Sequence, residues 1–328
     1  MLDNRKLYVD NFCEVHDLLK QYADGEFWDF NQVKDNIEPG AVYLISRKEF
    51  YNHTAAIKEI AEKNTATIIM SNPHEGSWTI VGQCHRLDIT QLVFDGKIII
   101  VGGGDMDDRF TCLRYDSFLP KVLDYEENIQ AQEDYWRNWT NDRPYKFLFL
   151  NGRGRPHRQQ LIQRLADLLP EAIWTNLDSA AGPVKILGPE YEFDFYQDKE
   201  TVADSGYVKY ELFNNQWGEI YLRDRPYLDT HFSLVTETVF DYPYSFRTEK
   251  MAKPLAIGHP FVVASNRGYY RDLHNLGFRT FGHLIDESFD LIDNSQDRLD
   301  RIEQTVRDLC QQDLAKFSDE CYNICKYN

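Results

Sequence analysis

The residue types that suggest chemistry most directly are two carboxylates and a lysine in the second half of the chain. Glu237 lies in the run FSLVTET, and Glu249 and Lys250 stand in a Thr-Glu-Lys triplet before the helix-like run MAKPLAIG. A carboxylate at a helix start can bind a ribose hydroxyl group, and a lysine with free backbone N–H groups can bind a phosphate. The alternative is a simple helix cap by Thr248, with Glu249 favouring the positive end. The pattern alone leaves both interpretations open.

A second group of charged residues follows an apolar run at Lys146. The segment KFLFLNGRGRPHRQQLIQRLADLLPEAIWTNL predicts a buried strand, a Gly-containing loop, an amphipathic helix and a second strand. The loop and first helical turn carry four possible cations: Arg153, Arg155, His157 and Arg158. Cations at the positive end of a helix need an anion among them, and a diphosphate would supply one. The alternative is a solvated loop with a few surface ion pairs.

These two stretches resemble the donor-binding half of GT-B glycosyltransferases, most closely the α-1,3-fucosyltransferases, over residues 146–280. The resemblance implies that Arg158 and Lys250 bind the diphosphate of a nucleotide sugar and that Glu249 binds its ribose. The rest of the predicted donor-binding set is Arg153, Arg155, Glu237 and Thr248.

The resemblance has visible departures, including cysteine-bearing ends that are not recognisable here, and it also extends to a second group of proteins. The residues after Glu237 are Thr-Val, where fucosyltransferases have Asn-Ser, and the gap to the Thr-Glu-Lys triplet is longer. The stretch 248–290, which includes LGFRTFGHLIDESFD, is similar to uncharacterised glycosyltransferase-like proteins of viruses and bacteria. The implied fold is therefore better specified than the implied sugar.

Composition limits the classes of function. A chain of 328 residues fits two domains of about 150 residues each. With 53 acidic and 36 basic residues and a net charge of −17, general binding to nucleic acid or to an anionic membrane is disfavoured. No apolar run approaches the ~18 residues of a membrane span, and the first residues do not form a signal peptide. The six cysteines form no C-x-x-C, so we expect free thiols and a cytoplasmic location. Because the sequence predicts no membrane span, we also expect no membrane insertion.

The first part of the chain predicts another α/β unit. Strands are expected at 41–46, 65–70, 91–94 and 97–101, with a helix at 52–63. Strands that alternate with helices predict a parallel, doubly wound sheet, in which ligands bind at the carboxyl ends of the strands.

Two carboxylates follow these predicted strand ends. Glu75 lies in SNPHEGS and Asp105 in GGGDMDD, and either could take the proton from an acceptor hydroxyl group as a general base. Asp105 and Asp107 could instead bind Mg²⁺ or Mn²⁺ as in the metal-dependent GT-A class. An Asp-rich turn is the plainest interpretation of this loop.

Together these patterns predict an α/β protein with two Rossmann-like domains that face a cleft in the GT-B manner, followed by a helical tail. The expected boundaries are 1–140 for an acceptor domain, 141–292 for a donor domain and 293–328 for the tail, with the linker within 131–145. The expected activity is transfer of a hexosyl or fucosyl-type sugar from a nucleotide-diphosphate donor to a glycan or other hydroxyl acceptor, without metal or cofactor. The alternatives are a GT-A-type transferase, a viral DNA-base glycosyltransferase and a non-catalytic nucleotide-sugar-binding module.

Overall fold

The computed structural model describes residues 6–10, 30, 34–151, 154–176, 185–187 and 221–328. The chain divides after Ser117 into two compact units. This division lies earlier than the boundary that the sequence suggested after residue 140, so residues 118–140 belong to the second unit. Within the described ranges, no helix combines the length and the apolar character that crossing a membrane requires.

The described strands of the first unit form one parallel five-stranded sheet. In spatial as well as chain order they are β1 (Leu7–Val9), β2 (Val42–Ser46), β3 (Thr67–Asn72), β4 (Ile98–Gly102) and β5 (Cys112–Arg114). In the register, Met70 of β3 pairs with Ile45 of β2 and Ile100 of β4. Nearly continuous apolar runs such as VYLIS and IIIVG suit strands that are covered on both faces.

The four described helices of this unit pack on one face of the sheet. They are α1 (Arg47–Asn52), α2 (Thr54–Lys63), α3 (Ser77–Arg86) and α4 (Thr90–Phe94). Their buried residues, such as Ile57 and Ile80, share a core with Tyr43 and Ile68 of the strands. A parallel sheet that always grows on the same side keeps its right-handed crossovers on one face. The described strands lie in chain order without a reversal, which accounts for helices on a single face. The sequence predicts a doubly wound order instead.

The second unit has a five-stranded sheet whose order does reverse. Its strands are β6 (Tyr145–Asn151), β7 (Ala172–Asn176), β8 (Lys185–Leu187), β9 (Thr230–Thr236) and β10 (Phe261–Ala264). The spatial order is β10-β9-β6-β7-β8, and the pairs are parallel except for β7 with β8. The chain adds β7 and β8 on one side of β6 and then returns to the other side for β9 and β10. The reversal thus lies between β6 and β9.

Helices cover both faces of this second sheet. They are α5 (Phe118–Asp124), α6 (Glu126–Arg137), α7 (Pro156–Arg164), α8 (Arg225–Leu228), α9 (Glu249–Ile257), α10 (Tyr269–Asn275), α11 (Ser295–Cys310) and α12 (Leu314–Tyr327), with 3₁₀ turns at Leu169–Glu171 and Ser288–Leu291. Phe147 packs with Leu161 of α7 on one face, whereas Leu148 packs with Tyr135 of α6 and Tyr227 of α8 on the other. The doubly wound arrangement is therefore confirmed for this unit.

The helical tail is part of the core of the second unit. The buried stripe along α11 includes Leu299 and Val306, and the buried stripe along α12 includes Phe317 and Cys321. All four are buried in the cluster that contains Phe232 of β9. Burial of both stripes against this sheet explains why the chain ends in two long amphipathic helices.

Two local predictions from the sequence are wrong. Residues 91–94, predicted as a strand, lie in α4, because a short apolar run such as QLVF has no period that separates a strand from one helical turn. Part of the predicted linker at 131–145 belongs to α6, which continues to Arg137 and whose Ala131 and Tyr135 are buried against the second sheet. The charged residues Glu126, Glu133 and Arg137 are exposed, and they conceal this apolar face in the sequence.

Candidate functional site

The point where the strand order reverses places the ends of β6 and β9 side by side. In open α/β sheets, ligands bind outside the carboxyl ends of strands at such a point. β6 ends at Asn151 and β9 at Thr236, and the Thr236 hydroxyl donates a hydrogen bond of 2.7 Å to Asn151 Oδ1. The helices that follow, α7 and α9, begin near this edge at Pro156 and Glu249. Most of the predicted donor-binding residues therefore converge on the edge that topology favours.

Glu237, the first residue after β9, is fully buried and accepts four hydrogen bonds. Oε1 accepts from the Thr248 backbone N–H at 2.9 Å and from the Tyr269 hydroxyl at 3.2 Å. Oε2 accepts from the Thr248 hydroxyl at 2.7 Å and from the Thr238 backbone N–H at 3.1 Å. The carboxylate thus joins the loop after β9 to the first turns of α9 and α10.

The electrostatic setting of Glu237 contains opposing effects. Burial raises its pKa above the ordinary value, because a buried carboxylate loses the solvation of its charge. The positive charge of Lys250 and the hydrogen bonds from Thr248 act in the opposite direction without cancelling the rise. Glu237 therefore stabilises the strand end from the interior, where an ionised carboxylate is energetically unfavourable. Both of its oxygens already accept hydrogen bonds from the protein, so neither is free to bind a ribose in this arrangement.

The first turn of α9 carries the lysine and glutamate that the sequence singled out. Thr248 is the N-cap, and its hydroxyl oxygen accepts from the Lys250 backbone N–H at 3.3 Å. Lys250 Nζ forms an ion pair with Glu249 Oε1, and the two side chains are 20% and 13% exposed. Burial raises the pKa of Glu249, but the charges of Lys250 and Lys253 outweigh it, so the net direction is downward. The capping interpretation of the triplet is confirmed, and an ion pair between Glu249 and Lys250 lies in the first turn of the helix.

The end of α9 is set by a glycine. Gly258 adopts φ of +78°, a left-handed conformation that closes the helix and that side-chain-bearing residues rarely adopt. A Cβ there would also collide with the Trp136 ring and approach the Cys325 carbonyl oxygen to 3.0 Å. The run MAKPLAIG therefore ends its helix where its glycine predicts, packed against α6 and α12.

The start of α7 differs from the cluster of four cations that the sequence suggests. His157 is buried, and its Nε2 donates to the Glu237 carbonyl oxygen at 3.0 Å. Burial, assisted by the Arg158 charge, lowers its pKa to about 4, so it is neutral at physiological pH. Arg158 is 2% exposed and donates from Nη2 to the carbonyl oxygens of Thr236 and Glu237 at 2.9 and 3.1 Å. The count of His157 as a cation is therefore wrong, and Arg158 fastens α7 to the end of β9.

Arg155 differs from both of these neighbours. It is the N-cap residue of α7, its side chain is exposed, and it makes no capping hydrogen bond. Arg153 lies outside the described residues. Of the cations predicted at this edge, Arg155 and the partly exposed Lys250 reach solvent within the described chain.

Residues that the sequence analysis did not select support the loop between β9 and α9. The ring of His157 stacks on Phe240 with centroids 4.8 Å apart and planes at 8°. Arg298 of α11 lies over the same ring at 4.5 Å and donates to the carbonyl oxygens of Phe240 at 2.6 Å and Ser265 at 3.1 Å. Their positions in the chain are far apart, so no local pattern could have joined them.

In the first unit, the two candidate bases lie in neighbouring loops as ion pairs. Glu75 Oε1 accepts from Arg47 at 3.0 Å, and Asp105 Oδ1 accepts from Arg114 at 3.1 Å. The Gly103 N–H donates to the Glu75 carbonyl oxygen at 3.0 Å, which brings the loops after β3 and β4 together. In each carboxylate, one oxygen is thus held by an arginine at the surface of the unit.

The Asp-rich loop is held by arginines. Asp107 binds Arg109 through both carboxylate oxygens, with Nη2 to Oδ2 at 2.6 Å, and it also accepts from the Arg109 backbone N–H at 2.9 Å. Arg109 in turn lies over the ring of Phe94 at 5.5 Å. In the described part of the chain, no group of three His, Cys, Asp or Glu residues is placed to hold a metal ion. Arg114 and Arg109 thus pair with Asp105 and Asp107, the two carboxylates that the GT-A alternative assigns to a cation.

Comparison of the chain with models of protein families, with curated proteins and with solved structures found no match to any of them. The α/β class, the two units and the convergence of Glu237, Thr248, Glu249 and Lys250 therefore follow from the residues and geometry described above.

Proposed function

We propose that this chain is a glycosyltransferase whose second unit binds the diphosphate of a nucleotide sugar at the carboxyl ends of β6 and β9. The observation that carries the proposal is the first turn of α9. It presents Lys250 and Glu249 at the positive end of a helix, beside the reversal point of a doubly wound sheet. Phosphate groups favour helix N-termini, where free N–H groups and the helix dipole both attract negative charge.

The ion pair between Glu249 and Lys250 supplies both contacts that a nucleotide needs. A diphosphate that binds Lys250 replaces Glu249 as the partner of the ammonium group. The released carboxylate can then accept hydrogen bonds from the ribose hydroxyl groups. Because one anion replaces another, the lysine is never left as an isolated, partly buried charge, which would be costly.

The arginines of the α7 start have two separate roles in this proposal. Arg155, exposed at the N-cap, contacts phosphate directly, and Arg153 is assigned to the same anion from the sequence. Arg158 acts from the interior: it fastens the strand ends and adds a fixed positive field, because its Nη2 is bound by two backbone carbonyl groups. Preorganised cations of this kind stabilise the charge that develops on a leaving diphosphate.

The remaining step is removal of a proton from the acceptor hydroxyl group, which we assign to Glu75 or Asp105. Both are carboxylates that follow strand ends in the first unit, and both are tied to an arginine that an acceptor can displace. Charge stabilisation by side chains makes the proposed reaction independent of metal and cofactor. We expect turnover to survive EDTA, and loss of turnover with EDTA that Mn²⁺ restores would favour Asp105 and Asp107 as metal ligands instead.

A thermal-shift screen across UDP, GDP, ADP, CMP and TDP tests the proposal and identifies the donor class. A ligand that binds only the folded state stabilises it and so raises the melting temperature. At a hundredfold excess of ligand over Kd, the free energy of unfolding increases by about 2.7 kcal/mol. We expect one nucleoside diphosphate to raise it clearly more than the others. No shift with any of them would refute a nucleotide site, and a shift without slow release of the diphosphate from the matching sugar donor would indicate a binding module without catalysis.

A further inference from the structure

The four hydrogen bonds to Glu237 have a pattern that allows two protonation states. Each carboxylate oxygen accepts from one backbone N–H and one hydroxyl group: Oε1 from the Thr248 N–H and Tyr269, Oε2 from the Thr238 N–H and the Thr248 hydroxyl. A backbone N–H can only donate, but a hydroxyl group can rotate and accept instead. A proton on either oxygen can therefore be donated to a hydroxyl group while both backbone contacts persist.

Glu237 also lies close to the lysine of the proposed phosphate site. The Thr248 hydroxyl oxygen is 2.7 Å from Glu237 Oε2 and 3.4 Å from Lys250 Nζ, so one atom separates the carboxylate from the ammonium group. Because Glu237 is fully buried, a charge placed beside Lys250 acts on it with little screening by water. The charged and titratable groups that face Glu237 from α7, α9 and α10 are His157, Arg158, Glu249, Lys250 and Tyr269.

We propose that Glu237 is a positioning residue for the anion site and that its carboxylate takes up a proton when a phosphate-bearing ligand binds beside Lys250. The inference deepens the proposed function and rests on it. The ligand brings negative charge to the ammonium group that now offsets the charge of Glu237, so the ionised carboxylate becomes less favourable. The proton comes from solvent and is added to Oε1 or Oε2, and no other bond is made or broken.

The environment of Glu237 in the ligand-free state agrees with this response. Burial already raises its pKa, and Lys250 is the largest of the effects that hold the pKa down. Engagement of Lys250 by an anion weakens that effect. A protonated Glu237 still accepts hydrogen bonds from the Thr238 and Thr248 backbone N–H groups. The first turn of α9 therefore stays in place as the ligand enters.

Isothermal titration of the full chain with inorganic pyrophosphate, near neutral pH in HEPES and in Tris, measures the uptake. If binding takes a proton from the buffer, the apparent enthalpy differs between two buffers with different heats of ionisation. We expect this difference in the native protein and in Glu287→Gln, and its loss in Glu237→Gln. Glu287 is the matched control: burial raises its pKa to about 7, but its partners are Thr280 and Phe281.

The outcomes separate this inference from the proposed function. Pyrophosphate binding with the same enthalpy in both buffers overturns proton uptake and leaves the anion site standing, as does uptake that persists in Glu237→Gln. Absence of binding by pyrophosphate and by every nucleoside diphosphate removes both proposals.

A second variant keeps the test available if Glu237→Gln fails to fold. Tyr269→Phe removes one donor to the ionised carboxylate and should shift the pH of greatest uptake upward, since loss of that donor raises the proton affinity of Glu237. An unchanged pH profile in Tyr269→Phe contradicts the inference.

Discussion

The carboxyl ends of the two sheets hold their charged residues in different ways. In the first unit, Glu75 pairs with Arg47 and Asp105 with Arg114, through guanidinium groups about half exposed to solvent. In the second unit, Glu237 is fully buried and Arg158 is 2% exposed. Three of the four hydrogen bonds that the Glu237 carboxylate accepts come from Thr248 and Tyr269, at the starts of α9 and α10.

Strand order accounts for part of this difference. The described strands of the first sheet follow chain order, so no reversal separates two neighbouring loops there. In the second sheet the reversal lies between β6 and β9, and the loops after these strands diverge to opposite faces. Glu237, Arg158 and His157 join the loop after β9 to the starts of α7, α9 and α10. The comparison indicates a strand edge fixed by buried hydrogen bonds in the second unit and partly exposed ion pairs in the first.

The largest effect that would test this contrast is on turnover. Replacing the true base with its amide, in Glu75→Gln or Asp105→Asn, should lower kcat by roughly 10²–10⁴. Nucleotide affinity should change little, and the free energy of unfolding by at most about 1 kcal/mol, because partly exposed ion pairs contribute little to stability. Between the two, we favour Glu75, which has the longer reach and is followed by Gly76, where a sugar can approach closely.

Steady-state kinetics with the donor found in the nucleotide screen, together with nucleotide binding, decide this prediction. Near-native turnover in both variants would place the base elsewhere, or indicate a retaining reaction that needs none. Loss of nucleotide binding in either variant would assign that residue to the donor site.

Two arginines at the start of α7 separate interior from surface roles. Arg158→Ala removes the donor to the Thr236 and Glu237 carbonyl groups and should lower the free energy of unfolding by about 3 kcal/mol. Arg155→Ala, at the exposed N-cap, should change it by no more than about 0.5 kcal/mol while weakening nucleotide binding. Chemical denaturation measures the first quantity. Equal stability of the two variants would contradict the interior role of Arg158.

The smallest effect concerns the cap of α9. Thr248→Val should cost about 1–2 kcal/mol of stability, since the cap and one hydrogen bond to Glu237 are lost together. It should also weaken nucleotide binding, because the first turn of α9 loses its fixed position. Asn294→Ala, which removes the N-cap of α11, is the matched control: it should cost similar stability and leave nucleotide affinity unchanged. Equal nucleotide affinity in Thr248→Val and Asn294→Ala would show that the cap of α9 does not contribute to nucleotide binding.

The sequence predicted those parts of the fold that follow from local patterns. Apolar runs located β6 and β7, and the Thr-Glu-Lys triplet before a helix-like run located the start of α9. The period of the tail located α11 and α12. These features depend on residues a few positions apart, which is the range that propensity and capping control.

Features that depend on tertiary contact were not predictable. His157 was counted as a cation, but burial against Phe240 makes it neutral. The sequence placed Arg158 at the start of a helix but could not show which groups its side chain binds. Its carbonyl partners belong to a strand end far along the chain. The contact of Arg298 with Phe240 likewise joins residues with no local relation.

The central claim, that the α9 start binds the diphosphate, is tested most directly by the affinity of Lys250→Ala for UDP and GDP, measured by isothermal titration beside the native protein. Lys58→Ala, which removes a surface ion pair with Asp88 in the first unit, is the control. We predict that the nucleotide bound by the native protein binds Lys250→Ala more weakly by about 1.5–3 kcal/mol, or roughly tenfold to a hundredfold in Kd, and binds Lys58→Ala unchanged. Native affinity in a correctly folded Lys250→Ala protein would contradict the account.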